Sequence, residues 1–334
     1  GVHDQDRLSN HSPLHFDMST FDYFSGPLAG ATTVIIPEEY TKLPASLSQL
    51  VETERLTIWY SVPFALVQLL LRGVLEARDL SSLRWVLFGG EPFPPKHLRA
   101  LMAQWPHASF SNVYGPAEVN QCTFYLVPPI PENSDEPIPI GEMCDNAEGL
   151  VVDDDDQAVS MGQVGELLVR APTMMRGYWS RPELNQMVFY RRAVFPDYEE
   201  VFLRTGDLVR LRQDGKNYDF LGRKDRQIKT RGYRVELDEI EAALLAHNGV
   251  EEAAVFAIPD SEGSQQIHAA VIPRHKTDHN LADLKKHVSG LVPWYAVPGK
   301  IDVMRSFPRT SSGKIDRRRL RERAIAELLE QNGT

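Results

Sequence analysis

The chain has 334 residues, which is enough for one large domain or two domains with an ample buried core. Its net charge of −10 disfavours general nucleic-acid binding, because phosphate contacts need clustered Lys and Arg. No apolar run approaches the roughly 18 residues of a membrane span, so a membrane protein is not expected. The two cysteines, Cys122 and Cys144, indicate neither a disulfide framework nor a metal cluster, which favours a reducing, cytoplasmic compartment. The start Gly-Val-His lacks an initiator methionine and predicts a fragment of a longer protein.

Strand-like and helix-like segments alternate through residues 1–127. The predicted strands are 32–36, 56–60, 83–88 and 109–114, and the predicted helices between them are 45–54, 63–72 and 94–105. This order predicts an α/β fold with a mainly parallel sheet and flanking helices. Ligands bind beyond the carboxyl ends of such strands, where Gly89-Gly90-Glu91 and the segment from Tyr114 to Glu118 lie.

The pattern changes at a proline-rich connection that begins at Pro128. Short strands follow at 149–152, 166–170, 208–212 and 217–221. Asp214-Gly215 predicts a hairpin between the last two, so residues 128–222 are expected to form a small antiparallel, β-barrel-like subdomain. The run Asp153 to Asp156 could bind a cation, although a solvated hairpin tip is the favoured interpretation.

Residues 223–334 read as a separate, small α+β domain. The pattern predicts a helix with Leu237, Ile240, Glu241 and Leu244 on one face that ends near Asn248-Gly249, and a second helix at 281–291. Strands are predicted at 253–258, 268–272 and 300–304. Near the end, Pro308 to Asp316 reads Pro-Arg-Thr-Ser-Ser-Gly-Lys-Ile-Asp. Its small residues predict a turn that presents Lys314, followed by a charged helix with apolar positions 320, 324, 325, 328 and 329.

Three carboxylates stand beside glycines or in apolar segments. Asp207, after Gly206, could chelate the two hydroxyls of a ribose or could cap a turn. Glu118 could hold Mg²⁺ or could be a helix-start carboxylate. Asp17 could bind an ammonium group or could be a helix N-cap. The residues taken singly leave each of these alternatives open.

Taken together, these segments resemble the amino-acid adenylation domains of nonribosomal peptide synthetases, within the acyl-adenylate-forming superfamily. The resemblance covers nearly the whole chain and corresponds to the carboxyl-terminal two thirds of such a domain. It is carried, in order, by Phe16-Asp17-Met18-Ser19, Gly89-Gly90-Glu91, Asn112-Val113-Tyr114-Gly115-Pro116-Ala117-Glu118, Gly165-Glu166-Leu167 with Arg176-Gly177-Tyr178, Arg204-Thr205-Gly206-Asp207-Leu208, Gly222 to Lys229 with Arg231 to Glu236, Leu291 to Pro298, and Ser312-Gly313-Lys314-Ile315-Asp316.

The resemblance implies a two-step ligase of natural-product or antibiotic biosynthesis. An amino acid and ATP would give aminoacyl-AMP and pyrophosphate, and the phosphopantetheine thiol of a carrier protein would then take the aminoacyl group. Lys314 and Glu118 would be catalytic, with Glu118 holding Mg²⁺. Asp225 would be the hinge of a mobile lid, residues 223–334. Nucleotide binding is implied for Gly89, Gly90, Glu91, Asn112, Tyr114, Gly115, Asp207, Arg223 and Lys314.

The implied substrate pocket is apolar apart from one carboxylate. It comprises Asp17, Met18, Phe21, Tyr60, Leu87, Gly89, Val113, Gln121 and Cys122. Asp17 would pair with the substrate ammonium, and the bulky neighbours favour a small apolar, proline-like or β-amino acid. A small chaperone-like partner is also compatible with the family.

Two departures from the family pattern bear on function. Position 117 is Ala where the family usually has Thr, and the Ser/Thr/Gly-rich phosphate loop is expected to precede residue 1. Two alternatives therefore remain beside the adenylating ligase. One is an acyl-CoA or aryl-acid synthetase, which would have no use for a carboxylate at Asp17. The other is a non-catalytic, truncated adenylation domain.

Overall fold

The computed structural model describes residues 1–260, 262–274, 281–310 and 313–332. Two residues of the final motif, Ser311 and Ser312, lie outside these ranges. The chain divides into two compact units, Gly1–Lys224 and Asp225–Thr334, so Arg223 belongs to the first unit rather than to the predicted lid. No helix within the described ranges combines the length and the apolar composition that crossing a membrane requires.

A seven-stranded sheet organises the first part of unit one. Its strands are β1 (Arg7–Asn10), β2 (Thr32–Ile35), β3 (Ile58–Ser61), β4 (Trp85–Gly89), β5 (Ser109–Tyr114), β6 (Thr123–Leu126) and β7 (Glu142–Met143). Their order is β2-β1-β3-β4-β5-β6-β7, and the neighbouring pairs from β2 to β5 are parallel. The last two strands run antiparallel and carry the sheet past residue 127, where the sequence pattern placed its end.

Helices connect the parallel strands, as the sequence predicts. They are α1 (Gly26–Leu28), α2 (Glu38–Thr41), α3 (Pro44–Thr53), α4 (Pro63–Arg72) and α5 (Pro95–Gln104), with a π-helix at Phe21–Ser25 and a 3₁₀ turn at Leu75–Ala77. The three long helices each begin with proline, whose fixed φ suits a first turn and whose missing N–H costs nothing there. Their apolar faces, including Leu66 and Leu98, pack with Trp59, Phe88 and Phe110 in one core.

A second, antiparallel sheet completes unit one. It contains β8 (Glu148–Val152), β9 (Val164–Arg170), β10 (Phe189–Phe195), β11 (Tyr198–Leu211) and β12 (Tyr218–Arg223), with α6 (Pro182–Val188) leading into β10. The strand order is β10-β11-β9-β8, and β12 pairs with β11. Within the described residues no pairing joins the edge strands β8 and β10, so the barrel-like arrangement stays open.

The strand β11 is longer than the pattern predicts, and it contains Asp207. The sequence places Asp207 at a strand or loop end because Gly206 resembles a turn residue. In the structure Gly206 has φ +71° inside the strand, where the register against β9 shifts between Arg204 and Leu208. A β-bulge of this kind re-aims a side chain without ending the strand.

The two predicted turns of this sheet are confirmed. Asp153 accepts backbone N–H bonds from Asp155 and Gln157, which is the geometry of a hairpin tip rather than of a cation site. Gly215 has φ +70° in the loop that joins β11 to β12.

Unit two is a small α+β assembly. Its elements are β13 (Gln227–Thr230), β14 (Tyr233–Glu236), α7 (Leu237–Leu245), β15 (Val250–Pro259), β16 (Gln265–Pro273), α8 (Leu281–Ser289), a 3₁₀ turn at Trp294–Ala296, β17 (Lys300–Val303) and α9 (Arg317–Asn332). The strands β15, β16 and β17 form one sheet, antiparallel and then parallel, and β13 and β14 form a separate hairpin.

Both faces of the β15–β16–β17 sheet are covered. Val255 packs with Leu244 of α7 and Val288 of α8, while the neighbouring Phe256 packs with Leu320 of α9 on the opposite side. Successive side chains of a strand point to opposite faces, which explains this division. Leu329, predicted on the apolar face of α9, is instead 69% exposed.

We predict that Gly89→Ala destabilises unit one. A Cβ on Gly89 would lie 2.2 Å from the carbonyl oxygen of Val113, so β4 and β5 would have to separate. Overpacking of this kind typically lowers the free energy of unfolding by about 1–3 kcal/mol. Denaturant unfolding should reveal the loss, and Gly290→Ala serves as the control because its new Cβ would approach no heavy atom closer than 3.4 Å. Equal stability of the two variants would contradict the tight pairing.

Candidate active site

Four of the predicted pocket residues lie on one face of the parallel sheet. Tyr60 of β3 is directly opposite Leu87 of β4, and Gly89 of β4 is opposite Val113 of β5. Since positions 87 and 89 are two residues apart in one strand, they face the same side of the sheet. The register therefore aligns these positions at the carboxyl ends of the strands.

Tyr60 is the centre of a group of pocket side chains. Phe21 meets its ring edge-on with the centroids 5.8 Å apart, and Gln121 Nε2 donates to its hydroxyl at 2.5 Å. Burial raises the pKa of Tyr60, and the negative charges of Asp17 and Asp22 raise it further against the opposing Gln121 bond. Tyr60 thus stays a neutral phenol with two carboxylates in its surroundings.

The segment that carries Asp17 is held by local hydrogen bonds. The backbone carbonyl of Asp17 accepts bonds from both the N–H and the hydroxyl of Thr20. Asn120 Nδ2 in turn donates to Thr20 Oγ1 at 3.0 Å, which ties this segment to the loop that contains Gln121. Met18 is close to the glycine turn, because a Cβ on Gly90 would be 3.9 Å from its Cε.

Asp22 is a buried carboxylate that the sequence did not single out as a candidate site residue. It is 1% exposed, its Oδ2 accepts a bond from Asn10 Nδ2 at 3.2 Å, and its Oδ1 has no hydrogen-bond partner in the described part of the chain. Burial raises its pKa to about 7, although the Asn10 bond acts in the opposite direction. The only available signal was the second aspartate of Phe-Asp-Met-Ser-Thr-Phe-Asp.

Three residues assigned to nucleotide binding are in direct contact. Asp207, 1% exposed, accepts a bond from the Tyr114 hydroxyl at 2.5 Å and one from Arg223 Nη1 at 2.7 Å. Burial and then the charge of Asp207 raise the pKa of Tyr114 well above its usual range, so the phenol remains a donor. The bulge of β11 and the end of β5 thus meet at one carboxylate.

Glu118 lies beyond the end of β5 and receives two bonds from one segment. Tyr178 donates its hydroxyl to Glu118 Oε1 at 2.7 Å, and the N–H of Met175 donates to the carbonyl of Glu118 at 2.7 Å. Across the described residues no group of three or more His, Cys, Asp or Glu side chains is arranged to hold a metal. Mg²⁺ commonly takes only one or two carboxylates together with substrate phosphates, so the oxygen donor of Glu118 fits that ion.

Other predicted site residues have structural partners. Glu91 Oε1 accepts the N–H of Phe64 in the first turn of α4 at 2.9 Å, and Asn112 Nδ2 donates to the carbonyl of Pro139 at 2.8 Å. A Cβ on Gly115 would lie 1.5 Å from the carbonyl oxygen of Asn120. Cys122 is 0% exposed. It packs with Val119, Ile140 and Leu167 in a core cluster that contains residues of both sheets.

In unit two, Lys314 lies on a closed turn. The N–H of Thr310 donates to the carbonyl of Lys314 at 2.8 Å, and Gly313, with φ +80°, donates to the carbonyl of Thr310. The Lys314 side chain is exposed. Asp225, the first residue of unit two, accepts the N–H of Gln227 at 3.1 Å at the start of β13.

Comparison with curated proteins finds two relatives with the same name. The chain is 36% identical over 312 residues to an L-proline–[L-prolyl-carrier protein] ligase of Pseudomonas fluorescens, covering 93% of this chain and 59% of that protein. It is 38% identical over 317 residues to one of Streptomyces coelicolor, covering 94% and 58%. The chain therefore spans less than two thirds of the length of either relative.

Comparison with solved structures and family models agrees with the fold. The adenylation domain AlmE of Vibrio cholerae, solved in complex with glycyl-adenosine-5'-phosphate, superposes with a TM-score of 0.82 at 25% identity, covering 97% of this chain and 60% of that one. The model of the AMP-binding enzyme C-terminal domain matches residues 239–314. The model of the AMP-binding enzyme matches residues 1–179, more than half of the chain. The chain therefore belongs to the AMP-binding enzyme family.

Proposed function

We propose that the protein carrying this chain activates an amino acid with ATP and loads it onto a carrier protein. In the first step the amino-acid carboxylate attacks the α-phosphate, which forms aminoacyl-AMP and releases pyrophosphate. In the second step the phosphopantetheine thiol attacks the acyl carbonyl, which forms a thioester and releases AMP. The names of the two relatives support both steps, because each is a ligase that joins an amino acid to its carrier protein.

The observation that carries the proposal is the negative charge of Asp17 near the buried Tyr60 and the side chains that Tyr60 contacts. Asp17 acts electrostatically on the Tyr60 phenol, which Phe21 and Gln121 contact. A substrate ammonium group that binds beside Tyr60 would lose its water shell and would need a negatively charged partner. Acyl-CoA and aryl-acid synthetases act on substrates without that cation, so this arrangement favours an amino acid.

The nucleotide is assigned to the contact between the two sheets of unit one. A carboxylate offers about four acceptor sites, so Asp207 can accept ribose hydroxyls in addition to Tyr114 and Arg223. Tyr114 would contact the adenine, and Arg223 would place positive charge near the ribose and phosphates. Phosphoryl transfer depends mainly on such positioning and charge neutralisation.

Mg²⁺, when bound, would neutralise charge on the ATP phosphates, and Glu118 would hold it through a carboxylate oxygen. Lys314 would contribute a point charge at the α-phosphate during adenylate formation. Asp225, between the units, would be the hinge for the change between the two steps.

As substrate we propose L-proline. The charge of Asp17 acts on Tyr60, and Phe21 packs against the Tyr60 ring. The pocket positions Leu87 and Val113 are also apolar, which suits a compact ring, and both named relatives are L-proline ligases. Short β-amino acids, which the sequence also predicts, share the requirement for a carboxylate partner. The cytoplasm is the proposed compartment, since Cys122 and Cys144 are both free thiols.

The first prediction tests the substrate class. The intact protein should exchange pyrophosphate into ATP in the presence of L-proline, and Asp17→Ala should lower this exchange by orders of magnitude. An unpaired ammonium in a desolvated site costs roughly 2–5 kcal/mol. Asp4→Ala, an exposed aspartate in the same part of the chain, is the matched control.

The same assay separates the alternatives. Exchange that depends on an aryl or fatty acid and not on any amino acid would contradict the proposal in favour of the acyl-CoA or aryl-acid synthetases. Exchange with β-aminobutanoate alone would move the substrate from proline to β-amino acids. Absence of exchange with every acid would favour the non-catalytic alternative.

The second prediction concerns Lys314. Lys314→Ala should slow formation of aminoacyl-AMP by about 10²–10³, because one preorganised donor to the developing charge is lost. Transfer of preformed aminoacyl-AMP to the carrier thiol should keep close to its normal rate. Single-turnover measurement of both steps checks this, with the exposed Lys285→Ala of α8 as control. Equal loss in both steps would assign Lys314 to general integrity of the turn.

A further inference from the structure

Glu118 is hydrogen-bonded to the segment that connects β9 of the second sheet to α6. Glu118 itself follows the carboxyl end of β5 and is partly exposed. Two of its hydrogen bonds come from residues 175–178, which precede α6 in the chain. The carboxylate assigned to Mg²⁺ is therefore oriented by a distant part of the sequence.

The side chain of Tyr178 sets the direction of the Glu118 carboxylate. Its hydroxyl donates to Oε1 at 2.7 Å, while the N–H of Met175 fixes the backbone carbonyl of Glu118 at 2.7 Å. One bond orients the side chain and the other holds the main chain. Together they restrict where the carboxylate can present an oxygen to a cation.

Asn185 fixes Tyr178 in turn. Its Oδ1 accepts the N–H of Tyr178 at 2.7 Å, and its Nδ2 donates to the carbonyl of Tyr178 at 3.1 Å. These two bonds hold the main chain of Tyr178 in place, and so fix the point from which its phenol reaches Glu118. The amide carries its donor and its acceptor on two separate atoms, so it can bond the N–H and the carbonyl at the same time.

Gly177 allows this close approach. It has φ +140°, and a Cβ there would lie 3.0 Å from both polar atoms of the Asn185 amide. Asn185 itself belongs to α6, which ends at Val188 and passes directly into β10. The chain of contacts therefore runs from the second sheet through α6, Asn185 and Tyr178 to Glu118.

We propose that Tyr178 and Asn185 are positioning residues for the magnesium site at Glu118. The inference rests on the proposed function, and it adds two residues to which no role in binding was assigned. Hydrogen-bond partners of metal-binding carboxylates fix their orientation, and losing one typically costs about 10–100-fold in metal affinity or activity. Tyr178 acts on Glu118 directly, and Asn185 acts through Tyr178.

The test measures binding rather than turnover. Isothermal titration calorimetry gives the affinity of the intact protein for a non-hydrolysable ATP analogue, once with Mg²⁺ and once with EDTA. The ratio of the two affinities is the gain that the metal provides. Tyr178→Phe removes only the hydroxyl and should reduce this gain about 10-fold. If the wild-type gain is itself smaller than that, the ratio should fall to one. The affinity measured in EDTA should stay unchanged. Asn185→Ala should reduce it in the same direction.

Three further variants make the experiment specific. Glu118→Gln removes the proposed ligand, and the double variant with Tyr178→Phe should lose no more than Glu118→Gln alone, since residues acting through one carboxylate are not additive. Gln186→Ala, next to Asn185 on α6 and exposed, should keep the wild-type gain.

The outcomes distinguish the positioning role of Tyr178 from the proposed function of the protein. An unchanged gain in Tyr178→Phe, or an equal loss of affinity with and without Mg²⁺, would overturn the positioning role while the proposed function stands. Wild-type protein that binds no ATP analogue under either condition would refute the proposed function. Additive losses in the double variant would show that Tyr178 does not act through Glu118.

Discussion

The pairing of β4 with β5 is the constraint on which the candidate site depends. Gly89 faces the carbonyl of Val113 at a distance that no side chain could occupy, so the two strands end side by side. This contact aligns Tyr60, Leu87 and Val113 on one face and brings Tyr114 to the same edge. Parallel sheets bind ligands at this edge because the connecting loops leave a crevice there.

Two buried carboxylates, Asp207 and Asp22, differ in how their burial is compensated. Asp207 is almost fully buried, but Tyr114 and Arg223 provide the donors and the positive charge that make this tolerable. Within the described ranges Asn10 is the one side chain that donates to the Asp22 carboxylate, and the raised pKa of Asp22 reflects the cost of burying a carboxylate without a cation beside it. By the same reasoning, a substrate ammonium group near Asp17 and Tyr60 would compensate the negative charge of Asp17.

Residues from both sheets of unit one build the site. The first sheet supplies Tyr60, Tyr114 and the loop that carries Glu118, whereas the second supplies Asp207 and Arg223 from β11 and β12. The segment before α6 adds Tyr178, whose hydroxyl donates to Glu118. Contacts between the sheets therefore set the geometry in which nucleotide and metal would be bound. A substitution in either sheet could alter that geometry.

The alternation of strands and helices, the helices that begin with proline and the motifs from Asp17 to Lys314 can all be recognised in the amino-acid sequence. These signals are local, since hydrophobic period, proline and glycine act within a few residues of the chain. The fold was needed to see that Asp207 lies inside a strand at a bulge, that Asp22 is buried beside Asn10, and that Asn185 bonds the main chain of Tyr178. Tyr114 and Asp207 are 93 positions apart, and Tyr178 and Glu118 are 60 apart. Pairings over such distances depend on how sheets pack against each other, which a local pattern of residues does not encode.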